Sequence, residues 1–122
     1  MRKVGAILTT LAAAAALMTT VAPAAQAGNF DGSWSVTIYT QSGNCPSSLR
    51  YSVHVARGHV MGDDQSYVVA GTVAANGATR VTVSEKGQSA SGAGRLSGNG
   101  GGGHWRTSTG ECAGQWTAER RS

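Results

Sequence analysis

The chain has 122 residues, 40% of them hydrophobic and 13% charged, with 18 glycines, three tryptophans, two cysteines and a formal net charge of +4. That length fits one domain, and the composition excludes a collagen-like, coiled-coil, membrane-spanning or strongly nucleic-acid-binding protein. Arg2 and Lys3 fall in a segment expected to be removed, which leaves eight Lys+Arg against six Asp+Glu on the remainder.

Residues 1–27 read as a secretory signal peptide. Arg2 and Lys3 form its positive start, and an apolar run follows that is short for a membrane span. Pro23 ends that run, and Ala25-Gln26-Ala27 supplies the small residues a signal peptidase needs. Cleavage after Ala27 leaves 28–122 as a single exported domain, periplasmic or extracellular, with no stable membrane insertion. Export implies an oxidising compartment, which favours a Cys45–Cys112 disulfide. Closing so long a loop is worth roughly 4 kcal/mol by chain entropy.

Alternation with period two then recurs along the chain, as in half-buried strands. Over 33–41, Trp34, Val36 and Ile38 alternate with Ser35, Thr37 and Tyr39. Over 49–57, Leu49, Tyr51, Val53 and Val55 alternate with Arg50, Ser52, His54 and Ala56. A short strand is expected at 59–62, followed by a polar loop with Asp63 and Asp64. Tyr67, Val69, Gly71 and Val73 share a side over 67–74, and Val81 and Val83 over 79–85. Small residues alternate over 89–96, where Ala90, Gly92, Gly94 and Leu96 share a side. The Gly-rich stretch 97–103 reads as a flexible connection. Trp105 and Thr107 share a side over 103–108, and Cys112, Gly114, Trp116, Ala118 and Arg120 do so over 112–120. Arg57-Gly58, Asn76-Gly77, Lys86-Gly87 and Thr109-Gly110 mark turns, Asn-Gly being the strongest signal for a type I′ hairpin.

Eight strands joined by hairpins predict an all-β fold, an antiparallel up-and-down barrel, with a β-sandwich as the alternative. An even count makes the first and last strands antiparallel where they meet. Cys45 then lies beside Cys112 at one end of that seam, and Trp34 beside Arg120 at the other. Gly-x-Trp occurs three times, at Trp34, Trp105 and Trp116. These indoles are expected in the core or as a ligand platform, with Gly92 and Gly94 making room for one of them. Arg120 shares their side and is expected to stack on Trp34.

Gly32-Ser33-Trp34 at the start of the first strand, with Arg120 at the end of the last, resembles the calycin pattern. That resemblance implies a barrel whose closing basic residue packs on the first Trp. Calycin-like bacterial proteins include secreted metalloprotease inhibitors with one disulfide, which implies a free segment 28–31 able to enter a protease cleft. The segments 94–98, 103–106 and 112–120 are similar to a group of small exported bacterial proteins, some labelled as exoproteins of heme utilisation or adhesion.

No catalytic constellation is legible. Asp63-Asp64 lacks the ligand ladder of a calcium loop, and the 98–103 glycines lack the Lys-Ser/Thr of a phosphate loop. His54 and His104 alternate opposite the apolar side, and His59 sits beside a turn, so no metal ligand set and no cofactor are expected. The arginines are spread along the chain, which argues against nucleic acid. Three indoles inside a small barrel leave little expected room for heme or lipid. The reading is a non-enzymatic exported module that binds through its surface, inhibitor-like or an envelope accessory. Its partner would be another exported protein or an envelope component. A carrier of heme or a hydrophobic ligand, and an adhesion-related exoprotein, are the alternatives.

Overall fold

The computed structural model describes residues 30–122. The expected signal segment 1–27 lies outside the described residues. Eight strands follow in chain order: β1 Gly32–Ser42, β2 Ser48–Ala56, β3 His59–Gly62, β4 Val68–Val73, β5 Ala78–Glu85, β6 Gln88–Ser97, β7 Gly100–Thr107 and β8 Ala113–Arg120. Each pairs antiparallel with the next, and β8 pairs with β1, so the sheet is a closed barrel rather than a sandwich. At the seam Trp34 lies opposite Arg120, Val36 opposite Ala118 and Ile38 opposite Trp116. Cys45 and Cys112 are disulfide-bonded across this seam, with Cα atoms 6.3 Å apart. Closure removes both sheet edges, so among the described residues no strand edge is left open to pair with another chain.

Two local expectations are corrected. The 97–103 stretch is not a flexible connection: β7 starts at Gly100, and only Gly98-Asn99 turns the chain. Leu96, Arg95 and Gly94 pair with Gly101, Gly102 and Gly103, so those glycines are strand residues. Composition hides this, because a glycine strand has no side chains with which to show alternation. The type I′ signature also falls elsewhere. Arg57-Gly58 and Lys86-Gly87 have positive φ at both central residues, whereas at Asn76-Gly77 only Gly77 does. There Ala74 accepts from the Gly77 N–H, and the Asn76 carboxamide accepts from the Ala78 N–H. The loop is one residue longer than a two-residue hairpin, which selects a type I turn closed by a left-handed glycine.

The interior differs along the barrel axis. At the end that holds the 57–58, 74–77 and 98–99 turns, inward residues are tightly buried: Trp34 and Val55 are 2% exposed, and Val73 and Leu96 are 5%. Phe30, in a short turn before β1, closes this end and is buried too. At the opposite end Val36, Ile38, Tyr51, Val81, Val83 and Ala90 also point inward, yet are only partly buried.

Candidate functional site: an apolar cup open at one end

The sealed end is built around Trp34. Its Nε1–H donates to the Phe30 carbonyl at 2.9 Å, and the Arg120 guanidinium lies 4.8 Å from its ring centroid. Arg120 Nε donates to Asn99 Oδ1 at 2.9 Å, Nη2 to the Gly98 carbonyl at 3.1 Å, and Nη1 to the Asp31 carbonyl. One guanidinium thus ties the last strand to the chain entry and to the β6–β7 turn. A cation over an indole with its donors satisfied is a stable way to close a barrel. The same contacts correct the expectation of a free segment 28–31 at residues 30 and 31, while 28 and 29 lie outside the described residues. Phe30 is buried, and Asp31 Oδ1 accepts from the Arg57 N–H at 2.9 Å. Residues 30 and 31 are therefore part of the closure.

The other two indoles line the wall. Trp105 Nε1 donates to the Tyr39 carbonyl at 3.0 Å, across a bulge between Thr40 and Ser42 on β1. Trp116 lies over Gly92 and Gly94; a Cβ at Gly94 would stand 2.7 Å from its ring, so β6 must carry glycine there. Trp116 Nε1 is buried and has no hydrogen-bond partner, alone among the described side chains. Its neighbour across β6 is Gly92, which offers no side-chain acceptor.

Three indoles do not fill the barrel. A cavity of about 80 Å³ remains, walled by Val36, Ile38, Val81, Val83 and Trp116 towards the open end and reaching Val55, Val73 and Leu96 at the sealed end. Of the hydroxyls in the wall, that of Thr79 is occupied by the Gly77 carbonyl at 2.8 Å. The open rim carries the polar groups. Tyr51 Oη donates to Glu85 Oε1 at 3.3 Å, linking β2 to β5 across the mouth. Burial, then the Glu85 carboxylate, push the Tyr51 pKa above its ordinary value. Tyr67 packs edge-on against Tyr51, centroids 4.9 Å apart, and its hydroxyl donates to the Ser52 carbonyl at 2.8 Å. The disulfide sits at this same open end, beside the 43–47 and 108–112 loops.

His54, His59 and His104 are all exposed on the outer face. Among the described residues no three His, Cys, Asp or Glu side chains come together as a metal site. No described helix is long and apolar enough to cross a membrane. Tyr51, Tyr67 and Glu85 are the rim residues that alternation alone did not single out as a group. Only the closed barrel brings β2, β4 and β5 to one rim. No family model matches the chain, and no curated protein matches it.

Proposed function

We propose that the domain is a non-enzymatic, exported binding module whose site is the open end of the barrel. There it takes the apolar end of a small ligand. The observation that carries this reading is the half-burial of inward-facing Val36, Ile38, Val81 and Val83 around the cavity. Apolar side chains turned into a barrel are normally covered, and leaving them wet forgoes hydrophobic stabilisation. An apolar hollow edged by a few polar groups is the usual form of a small-molecule site. The volume suits a few methylene groups or a small ring, with the ligand's polar end at Tyr51 and Glu85. Heme is left out of the proposal, because the cavity is small and the histidines lie outside. An apolar side chain presented by an envelope partner satisfies the same chemistry, which keeps the module within the surface-binding class.

Straight-chain alcohols of increasing length test this, with binding followed by indole emission and calorimetry. Affinity should rise about fourfold per methylene until the cup is full, then level off. A Val83→Trp variant, which fills the mouth, should fold and lose binding. Absence of saturable binding across the series would remove this reading.

A further inference from the structure

A second surface stands apart from the cup. Strands β4–β7 turn their other side to solvent, and this outer face forms a shallow, open groove of about 860 Å³ that reaches the end of β1 and the start of β8. Its floor is made of short side chains, among them Ala70, Thr72, Thr82, Ser91 and Ala93. Out of that floor rise Arg80, His104 and Arg106, all exposed. Register fixes their arrangement. Arg80 lies opposite Ala93 on one side of β6, and Ala93 lies opposite His104 on the other. Arg106 lies opposite Ser91, one outward position farther along β7. Two arginines and a histidine thus flank a strip of β6 whose own side chains are too short to obstruct it.

The charge is one-sided. The outward positions of β4–β7 carry Arg80, Arg95, His104 and Arg106 and no Asp or Glu. Among the described residues the one ion pair is Arg121 with Glu119, on β8 and beyond it. Arg95 donates to the Asn76 carbonyl at the sealed end, whereas Arg80 and Arg106 have no intramolecular hydrogen bond or ion pair among the described residues. Unpaired arginine forks present planar donors suited to carboxylates.

We propose that this outer groove docks an acidic polysaccharide, a glycan chain bearing carboxylate groups. The two arginines would pair with carboxylates on either side of β6, Thr82 and Ser91 would bond sugar hydroxyls between them, and Thr72 would do so beyond Arg80. Arg80 and Arg106 stand two strands apart and two residues out of line, about 12 Å by interstrand spacing and strand rise, a separation that favours a chain of repeated charges over one small anion. No outward side chain of β4–β7 is Phe, Tyr or Trp, so bases would find no broad stacking platform, which argues against a nucleic acid. No large apolar side chain rises from the groove floor, which argues against a lipid surface. This proposal is independent of the cup.

Titration of the purified domain with polygalacturonate at low and raised salt tests it, beside neutral dextran, polyphosphate and duplex DNA. The expected result is salt-sensitive binding of polygalacturonate in preference to the other three. Arg80→Gln combined with Arg106→Gln should weaken it about tenfold or more. Arg50→Gln removes one charge from the outer face of β2, outside the groove, and should change it by less than about twofold. Both variants alter exposed side chains, and an unchanged melting curve shows that each is folded. An equal loss in Arg50→Gln, equal or tighter binding of polyphosphate or DNA, or no binding by the wild type, would each overturn the proposal.

Discussion

The two ends of this barrel solve the same closure problem differently. At one end β1 meets β8 through packing: Trp34 is 2% exposed, its N–H is satisfied, and Arg120 covers it with three directed hydrogen bonds. At the other end Val69, Trp105 and Trp116 are buried but Val36, Ile38, Val81 and Val83 are only partly so, and a disulfide holds the seam. A covalent link does not need a filled interior beneath it. The contrast shows how a small domain keeps a hollow without losing its fold: dense packing is confined to one end, and sulfur chemistry holds the other.

Breaking the covalent side of this contrast should have the largest effect. Cys45→Ser with Cys112→Ser should lower stability by roughly 4 kcal/mol, read by urea denaturation. Amide exchange should show the 43–47 and 108–112 loops opening first, while the Trp34 end stays protected. Next come the tryptophans, whose N–H groups have three different fates. Trp34→Phe leaves the buried Phe30 carbonyl unpaired and weakens the Arg120 contact, and should cost about 2–3 kcal/mol. Trp116→Phe deletes an N–H that has no partner and should cost about 1 kcal/mol, the lost ring area offset by the removed orphan. Equal losses would mean that the two indoles do equivalent work.

Enlarging one valine at each end sharpens the comparison further, because the signs should differ. Val55→Phe enlarges a side chain only 2% exposed, at the tightly buried end of the cavity, and should cost about 1–3 kcal/mol. Val83→Phe enters the hollow and should be neutral or stabilising by about 1 kcal/mol. The smallest effect concerns the rim. The raised Tyr51 pKa means that the folded barrel favours the neutral phenol. That contribution is complete below the ordinary value of 10.0 and is lost as pH rises above it. Denaturation on both sides of that pH should show stability falling, and Tyr51→Phe should flatten the fall.

Much of the fold was legible because its signals are local. Alternation marked seven strands, with the short strand at 59–62 expected between two of them, the even count implied an antiparallel seam, and the positions of Cys45 and Cys112 placed a disulfide on it. The same alternation put Trp34 and Arg120 on one side of the sheet. What escaped depends on several strands at once. The glycines at 100–103 are strand residues only because Gly94 and Leu96 lie beside them. Phe30 closes an end that no periodicity describes. The remaining hollow is a small difference between barrel circumference and side-chain volume, and no single strand records it. The outer groove is similar: Arg80 and Arg106 are 26 positions apart in the chain and become neighbours across β6 only after the sheet curls. Scattered arginines in sequence were a one-sided surface in space.

Methyl NMR during titration with a medium-chain alcohol tests the central contrast most directly. Resonances of Ile38, Val81 and Val83 should shift strongly and saturably, with Val55 and Leu96 shifting least. Uniform shifts, shifts greatest at the Trp34 end, or none at all would contradict a barrel sealed at one end and open at the other.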